Sequence, residues 1–141
     1  MIGSEAEGMR KDEDIILKSD LTLAEVNVAD YAGFFVTCLA LPGSSVKPEE
    51  VALAKQIVAA GKPVAAMRDG IFTLAEAGAL VGKRFSRDSE SSSEPRFAGG
   101  IYSGDGVVQD GKIITATYCP AFPSKDQTVE LTQVLIAELQ K

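Results

Sequence analysis

Blocks of apolar residues separated by polar turns predict an α/β fold. The continuous apolar run YAGFFVTCLAL at 31–41 is typical of a strand buried on both faces, and PGSS at 42–45 ends it. A helix is predicted over 47–63, because Pro48 suits a first helical turn and Gly61 suits a helix end. One face of this helix carries an apolar stripe of Val51, Ala54, Ile57 and Val58.

The same alternation continues towards the C-terminus. VAAM at 64–67 is predicted to be a strand, and the helix that follows it is expected to end near Gly78. The segment 106–117 predicts a hairpin, with a type I′ turn at Asp110-Gly111. The last helix, 128–141, has Thr128 or Ser124 as its candidate cap, and its inward residues are predicted to be Leu131, Val134, Leu135 and Leu139.

Two regions carry weaker patterns. Residues 1–14 are polar and predicted to be loosely ordered, 15–20 form a short strand, and Asp20 is expected to cap a helical turn. The serine-rich stretch RDSESSSEPR at 87–96 is interpreted as a solvated surface loop. The whole chain, 1–141, is predicted to be a single domain in which helices cover a mostly parallel sheet.

Composition and charge narrow the possible partners. Apolar residues make up 45% of the 141 residues, and the formal net charge of −6 disfavours nucleic acid as a ligand. No apolar run reaches the length of a membrane span, and the N-terminal residues lack the apolar core of a signal peptide. We therefore expect a cytoplasmic protein with neither a nucleic-acid nor a membrane partner.

The chain has no histidine and two cysteines, Cys38 and Cys119. Histidine is the usual general base and the commonest metal ligand, so we predict no metal site and no cofactor. Ligands of α/β sheets bind beyond the carboxyl ends of the strands, where the loops after Val36, Met67 and Thr117 should meet. This topology predicts one neighbourhood of chemically active side chains, formed by Cys38, Arg68, Asp69 and Cys119.

The segment AGKPVAAMRDGIFTLAEAGALVGKR, at 60–84, resembles the PfpI/ThiJ superfamily, which has the class I glutamine amidotransferase-like fold. Three further segments agree with it in the family's order: DLTLAEVNVADYAGFFV, YSGDGVVQDGKIITA and the terminal ELTQVLIAEL. The resemblance covers roughly residues 20–139. It implies a flavodoxin-like three-layer sandwich, usually dimeric, with peptidase or amidase, glyoxalase, deglycase-like or chaperone activity.

The resemblance also assigns residues to the site. The family's cysteine nucleophile falls on Arg68, and the histidine that often follows it falls on Asp69. The Gly-Gly pair of the family falls at 37–40, with Cys38 in place of a glycine, and Cys119 borders the same pocket. The family's first strand, helix and second strand have no counterpart here. We therefore expect an unpaired sheet edge, covered by a partner chain or explained by a fragment.

Each candidate residue has two interpretations. Arg68 can bind a small anion with its guanidinium, or pair with Asp69 or another local acid. Asp69 can be a general base or an acid at a helix start, and Cys119 a relocated nucleophile or a buried small side chain. Cys38 is expected to be structural, although a redox pair with Cys119 is open.

Two functional hypotheses follow from these alternatives. The favoured one is a pseudoenzyme that lacks the nucleophilic cysteine, keeps the fold, binds a small anion at Arg68 or acts by assembly, and forms a homo-oligomer. The alternative is a PfpI-type hydrolase or a glyoxalase-like enzyme that uses Cys119 or Asp69.

Overall fold

The computed structural model describes residues 2–3, 7–10, 15–38 and 46–141. The N-terminal part contains two small strand pairs. Strands β1 (Ile2–Gly3) and β4 (Leu21–Thr22) pair in parallel, and β2 (Glu7–Arg10) pairs antiparallel with β3 (Ile15–Lys18). The first 14 residues thus include two described strands where the sequence indicated no regular element.

The helical turn after Asp20 is a 3-10 turn over Leu23–Glu25, and its cap is Thr22 rather than Asp20. The Glu25 carboxylate accepts hydrogen bonds from the Thr22 backbone N–H and hydroxyl, each at 2.8 Å. The predicted cap was wrong because the Glu25 carboxylate lies three residues after Thr22 and satisfies the backbone N–H of that residue.

In the part of the chain that the structure describes, a four-stranded sheet forms the centre. Its strand order is β5 (Phe34–Val36), β6 (Val64–Met67), β10 (Ile113–Ala116) and β9 (Val107–Asp110). The first three strands are parallel, and β9 joins β10 as the predicted antiparallel hairpin. The two residues between these strands are Gly111 and Lys112, one position later than the predicted turn, and Gly111 has a φ of 60°.

Among the described residues, three α-helices cover the two faces of this sheet. Helix α1 (Pro48–Ala59) and helix α2 (Ile71–Glu76) pack on one face against Val64 and Ala66 of β6. Helix α3 (Thr128–Leu139) packs on the other face against Ala65 and Met67. Successive strand residues point to opposite faces, so β6 contributes to both cores and is buried throughout. The predicted α/β fold is confirmed.

The end strand β5 differs from its prediction. The expected strand over 31–41 was to be buried on both faces, whereas β5 covers three residues and Phe35 keeps 40% of its surface exposed. The reason is its position, because β5 is the terminal strand of the described sheet. Leu39, Ala40 and Leu41 lie outside the described residues.

Two further short strands, β7 (Arg84–Phe85) and β8 (Ile101–Tyr102), pair in parallel beside the sheet. In α3, Leu131 is fully buried and Val134 and Leu135 pack on the core, as predicted. Leu139 remains exposed. Its Cδ2 atom lies so close to Gly33 that a Cβ added there would be only 2.7 Å away. The cap of α3 is Gln127, which replaces the predicted Thr128 or Ser124.

Candidate functional site

The polypeptide turns sharply where β6 ends. Arg68 follows Met67 and has a φ of 51°, in the left-handed region that residues other than glycine rarely adopt. A 3-10 turn over Arg68–Gly70 then leads into α2. Such a conformation costs on the order of 1–3 kcal/mol and is concentrated at functional sites. This turn, which we call the elbow, joins the predicted strand at 64–67 to the helix predicted after it.

Gly70 allows the elbow to approach the end of β5. A Cβ atom at this position would lie 2.5 Å from the Thr37 carbonyl oxygen and 2.6 Å from the Val36 carbonyl oxygen. Both are backbone atoms that cannot swing aside, so no larger residue fits without moving the strand. Glycine at this position therefore fixes the distance between the elbow and the loop that carries Cys38.

Two Arg-Asp dipeptides face each other across the site. Arg68 pairs with Asp88, with 2.6 Å between Nη1 and Oδ2, and Arg87 pairs with Asp69, with 3.0 Å between Nη2 and Oδ1. Arg87 Nε also lies 3.7 Å from Asp88 Oδ2. The arginine of each dipeptide thus binds the aspartate of the other. We call these four residues the crossed pairs.

Arg87 is the most buried member of the crossed pairs, with 3% of its surface exposed. Its Nε donates to the Ser91 hydroxyl at 2.9 Å, and its guanidinium carbon lies 4.7 Å from the centre of the Phe72 ring. Nη1 is buried and has no hydrogen-bond partner among the described residues. A buried guanidinium requires partners of this kind to offset the loss of its hydration.

Asp88 is held as a carboxylate by its surroundings. Burial raises its pKa, but hydrogen bonds from the Ser91 hydroxyl and backbone, together with Arg68 and Arg87, outweigh this and hold the pKa below its ordinary value. The predicted solvated loop over 87–96 is therefore wrong at its start. Arg87 and Asp88 anchor the loop to the elbow, because each meets an oppositely charged partner there.

The two cysteines lie next to each other behind the elbow. Cys38 packs against the core cluster that contains Cys119, and the Asp69 backbone N–H donates a hydrogen bond to its sulfur. The pKa of the Cys38 thiol is raised to about 11. Burial is the main cause, and the hydrogen bond with Cys119 adds to it. Cys119 is buried, with 4% of its surface exposed. Of the predicted neighbourhood of Cys38, Arg68, Asp69 and Cys119, the structure brings Cys38, Asp69 and Cys119 into direct contact.

Arg68 lines a cavity of about 530 Å³, and neither cysteine belongs to the described lining of that cavity. Its guanidinium carbon lies 4.9 Å from the centre of the Phe122 ring. Three carboxylates also line this elbow cavity: Asp88, Glu90 and Asp105. Its aromatic lining consists of Tyr102, Tyr118 and Phe122. Of the four candidate residues predicted from the sequence, only Arg68 lines the described part of the cavity.

Sequence reasoning missed Arg87 and Asp88, as well as the aromatic lining of the cavity. A signal for the first two was present, because the dipeptide Arg-Asp occurs both at 68–69 and at 87–88. The described residues contain no group of three potential ligands that could hold a metal ion. None of the helices in the described ranges has the length and apolar character that crossing a membrane requires.

Comparison with known proteins identifies the family. Residues 1–125, which make up most of the chain, match the model of the DJ-1/PfpI family. The chain belongs to the DJ-1/PfpI family. An uncharacterised protein of Archaeoglobus fulgidus is 33% identical over 106 residues, which cover 71% of this chain and 60% of that protein. The chain therefore spans less than two thirds of this relative.

Solved structures of DJ-1/PfpI proteins have the same fold. A two-domain protein of Anabaena variabilis, with DJ-1/ThiJ/PfpI-like and ferritin-like domains, matches with a TM-score of 0.77 at 22% identity. That match covers 99% of this chain and 39% of the Anabaena chain. A ThiJ/PfpI domain protein of Brachyspira murdochii matches with a TM-score of 0.73 at 20% identity, over 96% of this chain and 75% of its own.

Proposed function

We propose that this DJ-1/PfpI domain is a pseudoenzyme that binds a small molecule in the elbow cavity and has no cysteine nucleophile. The observation that carries the proposal is the side chain at the elbow, where Arg68 lies 2.6 Å from Asp88. A guanidinium keeps its proton near neutral pH, so it serves neither as a nucleophile nor as a base. It can bind and orient a ligand. We also propose a cytoplasmic location for this domain.

The other candidate groups also favour binding over hydrolysis. A thiol attacks as its thiolate, and the raised pKa of Cys38 opposes that form. Cys119 is buried, which limits the access of a substrate to its sulfur. The Asp69 carboxylate is already engaged in an ion pair with Arg87, at 3.0 Å between Oδ1 and Nη2. The contact of Arg68 with Asp88 favours pairing with a local acid over the predicted anion site.

The thiols provide a direct test. We expect iodoacetamide to modify native Cys38 about a hundredfold more slowly at pH 7 than in the unfolded chain, since its pKa rises from 9.0 to about 11. The rate should increase as the pH is raised towards 11. Mass spectrometry of peptides labelled over time, in buffer and in guanidinium chloride, measures both rates.

A Cys38→Ser variant isolates Cys119, which should also react slowly because it is buried. Turnover of methylglyoxal and of a peptide amide serves as the parallel assay, and we expect none above the Cys38→Ser/Cys119→Ser double variant. Fast, selective labelling of native Cys119, together with activity that disappears in Cys119→Ser, would establish the hydrolase or glyoxalase alternative instead.

A second candidate function is assembly, and the edge of β5 favours it. We propose that two copies of the chain associate through this edge as a homo-oligomer. No described strand pairs with the outer side of β5, and Phe35 is 40% exposed. Beside it lies an apolar cavity of about 210 Å³, lined in part by Phe34, Leu53 and Ile57. Edge strands of this kind pair readily with another strand, and a twofold axis would bury the same patch on both copies.

Light scattering coupled to size exclusion tests the assembly proposal. The wild-type chain should have about twice its 14.9 kDa mass, and Phe35→Glu should reduce it to the single-chain value because the charge would be buried in the interface. Val129→Glu is the control, since Val129 is 70% exposed on α3 and should leave the mass unchanged. A folded wild-type monomer at high concentration, or a Phe35→Glu dimer, contradicts the proposal.

A further inference from the structure

We propose that the elbow cavity recognises a small organic cation, an ammonium or guanidinium group carried on a short alkyl chain. This inference rests on the proposed function, because it names the ligand class of the same cavity. The proposed ligand is a cation, whereas Arg68 taken alone suggests a small anion. Two independent features carry it: the balance of charge on the cavity wall and the arrangement of the aromatic rings.

The charge on the wall is negative. Arg68 and Asp88 neutralise each other at 2.6 Å, which leaves Glu90 and Asp105 without a cationic partner in the lining. Glu90 forms no ion pair with a described residue, and Asp105 accepts a hydrogen bond from the Tyr118 hydroxyl at 3.3 Å. The chain as a whole carries −6. A cleft lined by one sign of charge concentrates ligands of the opposite sign, so anions are disfavoured here.

The aromatic rings of the cavity already bind cations from the chain itself. Arg68 lies over the Phe122 ring at 4.9 Å, and Lys125 lies over the Tyr118 ring at 4.8 Å. Lys125 is not part of the lining, and its one positive charge is smaller than the two negative charges of Glu90 and Asp105 together. The third ring, Tyr102, is 43% exposed and has no cation of the chain over it among the described residues. An aromatic face beside carboxylates is a recognised binding site for organic cations.

The Tyr102 ring is also held in place. It contacts the Phe85 ring at a centroid distance of 6.2 Å, and Phe85 is buried in the core. A ring that is packed on one side and free on the other loses little freedom when a ligand binds. The cavity volume of about 530 Å³ lies within the range of pockets for small molecules. We therefore assign Tyr102 and Glu90 as the main contacts of the cation.

Isothermal titration with cadaverine and agmatine tests this assignment, with 1,5-pentanediol as the uncharged counterpart of cadaverine and citrate as the anion. We expect both cations to bind at least about tenfold more tightly than pentanediol, and their affinity to fall as salt is added. Glu90→Gln and Tyr102→Leu should each weaken binding about threefold to fivefold. Tyr102→Phe keeps the ring and should bind as the wild type does.

Glu130→Gln is the matched control, because Glu130 is exposed on α3 and lies outside the cavity. Equal loss of affinity in Glu130→Gln and Glu90→Gln would reduce the effect to overall charge and overturn the inference. Binding of citrate without binding of either cation would overturn the inference as well. The proposed function would survive that result, because the domain would still bind a small molecule without a cysteine nucleophile. Turnover that depends on Cys119 would instead overturn the proposed function.

Discussion

Replacing Arg87 by methionine should lower the free energy of unfolding by about 2–3 kcal/mol, since it removes charge-assisted hydrogen bonds in a buried setting. Methionine fills most of the arginine volume, so the loss comes from charge and hydrogen bonds more than from packing. Arg87 is 3% exposed and binds the Asp69 carboxylate and the Ser91 hydroxyl. Without the guanidinium, Asp69 loses its partner, and Ser91 and Asp88 lose a cationic neighbour. Urea denaturation followed by far-UV circular dichroism measures the loss.

Arg84→Met is the matched control for this substitution. The Arg84 side chain is 58% exposed, and its Nε lies 3.9 Å from Asp110 Oδ2. Exposed pairs of this type contribute at most about 1 kcal/mol, so Arg84→Met should be nearly neutral. If Arg87→Met costs no more than Arg84→Met, the crossed pairs do not anchor the loop. A change in the slope of the transition would indicate a change in the denatured state instead.

The crossed pairs show why part of the site could not be predicted. Helix α1 and the β9–β10 hairpin were predicted from local signals. Pro48 and Gly61 lie at the two ends of the helix, and Asp110 and Gly111 placed the turn to within one position. The pairing of Arg68 with Asp88 joins residues 20 positions apart, through a loop whose composition resembles that of any solvated segment. Local patterns carry no information about such a contact.

The neighbourhood of the elbow was predicted because it follows from topology. Parallel strands bring their carboxyl ends to one edge of the sheet, and this rule placed Cys38, Asp69 and Cys119 together. The direction of the Arg68 side chain depends on its φ of 51° and on the position of Phe122, neither of which the strand order determines. The prediction that β5 is buried on both faces failed for a similar reason, because an apolar sequence does not show which strands flank it.

Replacing Gly70 by alanine should destabilise the domain by about 3 kcal/mol, the upper part of the range for overpacked substitutions. Gly70 has a φ of −59°, which alanine adopts without strain, so backbone preference does not oppose the change. The cost comes from the added Cβ, which would lie 2.5 Å from the Thr37 oxygen and 2.6 Å from the Val36 oxygen. Relief requires the elbow and β5 to move apart. Guanidinium chloride denaturation measures the loss.

Gly78→Ala separates this steric effect from the general cost of replacing glycine. Gly78 has a φ of 74°, and no atom of a described residue lies within 4 Å of the position that an added Cβ would occupy. Alanine there meets backbone strain of about 1 kcal/mol and no clash. The loss at Gly70 should therefore exceed the loss at Gly78, although the Gly70 backbone is the ordinary one. Equal losses would mean that the contact between the elbow and β5 is loose. Position 70 would then accept a side chain.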